Sequence, residues 1–319
     1  MERLDTFMAR ANAAYYATRD PFADFTTAPE ISQVFGELLG AWAAHVWTTM
    51  GSPAPVILAE LGPGRGTLIA DAIRTIRTVA PAFHAALELH LVETSPRLRA
   101  LQAARVDATW HDTAYTLPQA PLILLANEFL DALPVRQLVR RGDRWAERWV
   151  QDGRFVEQDA PPPDPTGAAD IVQFCEPAER IAAALAARLA RDGGAALFLD
   201  YGAATGGGGD TLQAIRDGNP ADPLATPGEA DLTAHVDFAA LARAAAPAVI
   251  HGPVSQGLFL ARLGLHRRID RLAQGQPPGR VAALLAAAQR LTEPAHMGRL
   301  FQAMALTHPD LPIPSGFTS

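Results

Sequence analysis

Three glycines stand at alternate positions, Gly62, Gly64 and Gly66, between the apolar run Val56–Leu61 and an amphipathic run beginning at Thr67. Without Cβ atoms the backbone can turn sharply there and come close to a ligand. A strand, a tight turn and a helix in that order can cradle a nucleotide. The spacing is G-x-G-x-G, not the dinucleotide pattern G-x-G-x-x-G, and no G-x-x-x-x-G-K-[ST] occurs. Glu60 puts a carboxylate beside the turn; it would repel a pyrophosphate and suits a cationic ligand. Glu93 closes the next apolar run, Leu87–Glu93, where an acid can bind ribose hydroxyls. S-adenosylmethionine carries a ribose, a sulfonium and an ammonium but no phosphate. These residues therefore point to it ahead of a nicotinamide cofactor. The alternative is a glycine turn that only packs a helix on a strand.

A second group follows the strongest apolar run, Leu122–Ala126: Asn127, Glu128 and Asp131. In a doubly wound sheet the first and fourth strands flank the switch point where ligands bind. Two carboxylates and an amide there could hold a cationic or polar nucleophile. They could equally be a helix start, with Asn127 as cap and the acids favourable on the dipole. Other candidates have plainer readings beside the functional one. Asp200 ends the fifth strand on the ligand side. His235 could accept a proton or be structural, and Asp237 suits a helix cap. Glu30 reads as a first-turn acid.

These residues need elements to position them. Short apolar runs alternate with helical patterns: strand 56–61, helix 66–79, strand 87–93, helix 95–104, a short strand at 106–110, strand 122–126, helix 176–191, strand 195–200 and helix 237–245. This βαβα rhythm predicts an α/β, Rossmann-like, mostly parallel doubly wound sheet. The runs 247–251 and 257–263 read as two final strands, and 264–305 as helical. Residues 2–14 and the stretch from Ile31 to Trp42 read as helices. Residues 17–29 read as loop, broken by Asp20-Pro21 and Ala28-Pro29. Residues 134–158 break the rhythm with Gly142-Asp143 and Asp152-Gly153 as turns, which predicts an antiparallel β insertion. A Pro-rich loop at 161–165 closes it, and Gly206–Gly209 reads as a flexible loop. The expected organisation is one elaborated domain over 1–319. It has an N-terminal helical segment (1–50), a core (51–133 and 170–263), an insertion (134–169) and a C-terminal helical segment (264–319). Edge strands of the insertion could pair across a homodimer.

Composition narrows the function classes. With 319 residues, 49% of them hydrophobic, the chain can bury a large core. A net charge of −7 argues against a nucleic-acid partner, which needs a basic surface. Arg136, Arg140, Arg141, Arg144 and Arg148 cluster, but such runs usually belong to solvated faces. Cys175 is the one cysteine, so no intrachain disulfide or cysteine-rich metal site can form. No apolar run approaches a membrane span, and the acidic N-terminus lacks the apolar region of a signal peptide. A cytoplasmic bacterial protein is the expectation. Met8, Met297 and Met304 read as core filler.

Taken together, "ELGPGRGTL", "LVETSPRLR", "WHDT", "ANEFLDALPVRQ", "LFLDYG", "GDTLQA", "GEADLTAHVDF" and "DFTTAPEISQVFGELLG" resemble the MidA-like family. The resemblance runs from about Phe7 to "HMGRLFQAMAL". The segment before Tyr15-Tyr16 is shorter than the family's. The resemblance implies a class I methyltransferase fold using S-adenosylmethionine, and protein arginine methylation. Mitochondrial members of the family assist assembly of respiratory complex I by symmetric dimethylation of an arginine on a core subunit. By resemblance, Gly62, Gly64 and Gly66 line the methionine part of the cofactor, Glu93 binds ribose, and Asp112 lies near the adenine. Asn127, Glu128 and Asp131 face the acceptor. Glu128 would fix the guanidinium, with Asp131 as helper. Glu30, His235 and Asp200 are weaker substrate contacts. The competing reading is an assembly factor that keeps the cofactor without catalysis.

Overall fold

The mostly apolar runs Val56–Leu61 and Leu122–Asn127 form strands covered on both faces, and both are buried along their length. The computed structural model describes residues 1–19, 26–163, 169–205 and 208–318. Asp20-Pro21, the end of the 161–165 loop and Gly206-Gly207 lie outside the described residues. The chain forms two units. One comprises Thr27–Glu128, Ala182–Asp200 and Ala245–Ser319; the other comprises Met1–Thr26, Phe129–Ile181 and Tyr201–Ala244.

The first unit is built on a sheet whose strands we number β1 (Val56–Leu61), β2 (Leu87–Val92), β3 (Thr109–His111), β4 (Leu122–Asn127), β5 (Gly194–Ala203), β6 (Val249–Ser255) and β7 (Phe301–Thr307). Their order is β3-β2-β1-β4-β5-β7-β6. Neighbours from β3 to β5 are parallel, and β6 with β7 is antiparallel. The order reverses between β1 and β4, so their carboxyl ends form the switch point. In register, Leu61 faces Val92 on one side and Ala126 on the other. Glu60, Gly62, Glu93 and Asn127 thus emerge at one end of the sheet.

Helix Thr67–Val79 follows the glycine turn, and helix Gln33–Thr49 crosses it closely. At Gly40 a Cβ would lie 2.6 Å from the Ala72 carbonyl oxygen, so only glycine fits. Two expectations for this unit fail. Residues 257–263 are not a strand but belong to helix Gln256–Arg262. The closing strand is β7, inside a stretch expected to be all helical. Short apolar runs do not separate buried helix from buried strand. The Ala- and Met-bearing β7 is held extended by pairing with β6, against its helical propensity.

The second unit carries the antiparallel insertion. Strands Arg136–Arg141, Arg144–Gln151, Arg154–Ala160 and Ile171–Phe174 pair in it, and Glu2–Arg3 pairs with Trp149 and Val150. Asp152 and Gly153 both have positive φ (50° and 68°), as the expected two-residue turn requires. Helix Leu4–Thr18 buries Leu4, Phe7 and Met8 against Val135, Val150 and Leu232. A second small sheet, formed by Asn219–Ala221, Gln213–Arg216 and Asp231–Thr233, was not expected from the sequence. Its signal was there: Asp217-Gly218, with φ of 50° and 73°, is a hairpin turn pair. The clustered arginines are engaged: Arg136 with Glu147 and Glu176, Arg141 with Glu157, Arg144 with Asp159, Arg148 with Asp210, and Arg140 over the Trp145 ring. Arg141 and Arg144 are solvated, as that reading expects, whereas Arg136, Arg140 and Arg148 are half-buried in their pairs.

Candidate active site

Gly62, Gly64 and Gly66 all take left-handed φ (61°, 55° and 76°), which strains any other residue. The turn is pinned by hydrogen bonds from Gly62 N–H to Val92 O (3.0 Å) and from Gly66 N–H to Pro63 O (2.7 Å). Gln102, which sequence reasoning missed, organises the rest. Its fully buried amide donates to Gly64 O (2.8 Å) and to Glu93 Oε2 (3.3 Å), and its oxygen accepts from Trp110 Nε1 (2.8 Å). The signal was a polar residue four positions after the buried Leu98, on the inward face of helix Pro96–Ala103.

Glu93 is buried, and its other oxygen accepts from Ser95 N–H (2.8 Å). Burial raises its pKa, and the Ser95 and Gln102 donors offset part of that. Both oxygens keep acceptor capacity for ribose hydroxyls. Asp112 is exposed and paired with Arg99 at 2.6 Å, while Arg99 also donates to the Glu93 carbonyl at 2.7 Å.

Glu60 is almost fully buried, and burial pushes its carboxyl up to about 8. Its Oε2 has no hydrogen-bond partner among the described residues, and neither does the buried Asn127 Oδ1. The helix-cap reading of Asn127 fails, because no helix starts there. Its amide donates instead to Glu128 Oε1 (3.0 Å), which also accepts from Ala28 N–H (3.0 Å). Glu128 has φ 49°, an uncommon conformation for a side-chain-bearing residue that is seen at functional sites. Its amide bonds to Leu199 O (2.9 Å), and the residue as a whole is half-buried. Loss of solvation pushes that carboxyl up to about 7 against the Ala28 and Asn127 donors. Glu30 accepts from Thr67 Oγ1 (2.5 Å), next to the turn. Asp200 is buried at the end of this unit's share of β5.

The remaining candidates lie in the second unit. Asp131 is buried, and its carbonyl accepts from Ala234 N–H (2.9 Å). Asn12 holds the same region by donating to Ala132 O and Leu232 O (3.0 and 2.8 Å). His235 packs edge-on to Tyr201, and burial lowers its pKa. Asp237 is the expected cap, accepting from Ala240 N–H (2.9 Å).

Two orphaned buried acceptors beside a glycine turn suit a ligand that brings a cationic amine and no phosphate. Glu60 and Asn127 would hold the amino end of S-adenosylmethionine, the three glycines its methionine chain, and Glu93 its ribose. With the strand order β3-β2-β1-β4-β5-β7-β6, this defines a class I methyltransferase. The chain belongs to the MidA-like family of S-adenosyl-L-methionine-dependent methyltransferases, whose family model matches residues 38–254. It is 35% identical to a mitochondrial protein arginine methyltransferase NDUFAF7 homolog of Drosophila melanogaster, over 96% of this chain and 80% of the relative. It is 34% identical to the Homo sapiens protein arginine methyltransferase NDUFAF7, over 92% of this chain and 76% of the relative. A superfamily member from Burkholderia thailandensis, solved bound to S-adenosyl-homocysteine, is 28% identical with a TM-score of 0.77, over 99% of this chain and 88% of that one. No described helix is long and apolar enough to cross a membrane.

Proposed function

We propose that this methyltransferase acts on an arginine of a protein, with Glu128 as the group that engages the guanidinium. The observation that carries the reading is the Glu128 carboxyl itself: held at Oε1 by Ala28 and Asn127, and set at the end of β4 beside the orphaned Asn127 oxygen. The names of the relatives support arginine as acceptor. When bound, S-adenosylmethionine supplies a methyl on a positive sulfur, which leaves as a neutral thioether once the acceptor nitrogen bonds to the methyl carbon. The acceptor is the harder partner, because a guanidinium has a pKa above 12 and a delocalised lone pair. An ionised Glu128 can fix one edge of that fork and draw positive charge away from the attacking nitrogen, which sheds a proton in the reaction. Orientation by Glu128 then supplies much of the rate. The product is symmetric dimethylarginine, and a core subunit of respiratory complex I is the first acceptor to try.

The test separates binding from turnover. Glu128→Gln should lower kcat on an arginine-bearing substrate by about 100-fold or more, with S-adenosylhomocysteine affinity within about threefold of the parent. Equal loss of both would remove the acceptor role from Glu128. An intact protein that binds the cofactor and methylates no arginine would leave an assembly factor.

A further inference from the structure

One short segment touches both halves of the site. Helix Ala28–Ile31 starts at Thr27, whose carbonyl accepts from Glu30 and Ile31 N–H (3.0 and 3.2 Å). At its first residue, the buried Ala28 donates its N–H to Glu128 Oε1 at 3.0 Å. Two residues on, Glu30 Oε1 accepts from the Thr67 hydroxyl at 2.5 Å. Thr67 is the first residue after Gly66, so it moves with the glycine turn. The segment is backed by helix Pro278–Thr292. A single turn of helix therefore links the Thr67 hydroxyl beside the glycine turn to the Glu128 carboxyl. Glu128 needs such support, since its left-handed φ of 49° is sparsely populated and persists only where surrounding contacts hold it.

We propose that Glu30 is a positioning residue: through its bond to Thr67 and the helix Ala28–Ile31, it makes the placement of Glu128 depend on the glycine turn. The proposal rests on the methyltransferase reading of the site. Ligand in the turn orders Thr67, Thr67 holds Glu30, and Glu30 holds the Ala28 amide against Glu128. The Thr67–Glu30 bond is short at 2.5 Å, which suits a link that must transmit position.

The direct readout is hydrogen exchange at the Ala28 amide, with and without saturating S-adenosylhomocysteine. In the parent, ligand should slow that exchange by about tenfold or more, beyond any global stabilisation read at core amides of β4. In Glu30→Ala and in Thr67→Val the ligand effect should fall to about twofold or less. The double variant should look like either single one, because both remove the same link. Glu30→Gln and Thr67→Ser keep an acceptor and a hydroxyl, so both should restore the parent response. On an arginine-bearing substrate, Glu30→Ala should lower kcat about tenfold, with KM and S-adenosylhomocysteine affinity each within about threefold. The proposal is overturned if ligand slows Ala28 exchange as strongly in Glu30→Ala as in the parent, or if the two single variants add independently. Failure of the parent to methylate any arginine would count against the acceptor reading alone, because the exchange experiment needs no acceptor.

Discussion

A carboxyl group with neither counter-ion nor solvent prefers to keep its proton. Glu60 is in that position, with a folded pKa near 8 against an ordinary 4.5. Between those values the native state binds a proton that the unfolded state has lost. Stability of the ligand-free protein therefore falls as pH rises from about 4.5 to about 8, then levels off. At ~1.4 kcal/mol per pH unit the upper bound is about 5 kcal/mol. Glu60→Gln removes the titrating group, so it should flatten that slope and raise the melting temperature at pH 8.5. A slope unchanged in Glu60→Gln would place the titration elsewhere. Glu128 carries the same argument into turnover. Its carboxyl sits near 7, so kcat/KM for an arginine acceptor should rise with pH towards a plateau beyond about 7, and a flat profile across pH 6–8 would contradict a role for the ionised form. The sequence showed the identity of these carboxyls and their place at strand ends, because glycine spacing and apolar runs are local signals. It could not show that Asn127 and Ala28 clasp Glu128, since Ala28 acts through its backbone amide and lies 100 residues away.

At the scale of elements, the crossing of helices Gln33–Thr49 and Thr67–Val79 decides how firmly the turn is held. Propensity alone favours alanine over glycine in a helix interior by ~1 kcal/mol. At Gly40 packing should win, because a Cβ there would lie 2.6 Å from the Ala72 carbonyl oxygen and 2.7 Å from its Cα, neither of which can rotate away. Gly40→Ala should therefore destabilise, by about 1–3 kcal/mol in denaturant titrations, despite its better propensity. A neutral or stabilising result would mean that the helices slide apart without cost. Helix positions were largely legible from the 3.6-residue pattern, and the parallel strands from their length and flanking turns. The pattern failed at 257–263, where a buried helix and a buried strand share the same composition. It failed again at β7, where pairing with β6 overrides the preference of Ala303, Met304 and Ala305.

At the scale of the whole molecule, charge and ligand linkage carry separate consequences. The net charge of −7 and the pairing of the clustered arginines leave little to neutralise phosphates, so duplex DNA or RNA should show no saturable binding near 150 mM salt. Ligand linkage is where the buried carboxyl becomes visible globally. A cationic amine against Glu60 favours its ionised form, so binding in the neutral range should expel a proton from the protein. Any ligand that binds only the native state stabilises it, by about 2.7 kcal/mol at 100 times Kd. Here that gain should also depend on pH. The empty protein loses stability as Glu60 is forced to ionise, while the loaded protein has already ionised it against a partner. The rise in melting temperature at a fixed S-adenosylhomocysteine concentration should thus be larger at pH 8 than at pH 6. Calorimetry near pH 7 in two buffers of different ionisation enthalpy should show the released proton, and Glu60→Gln should abolish both effects. Equal stabilisation at the two pH values, with no dependence on buffer, would show that the amine is received elsewhere and that the orphaned Glu60 oxygen is only a cost of the fold.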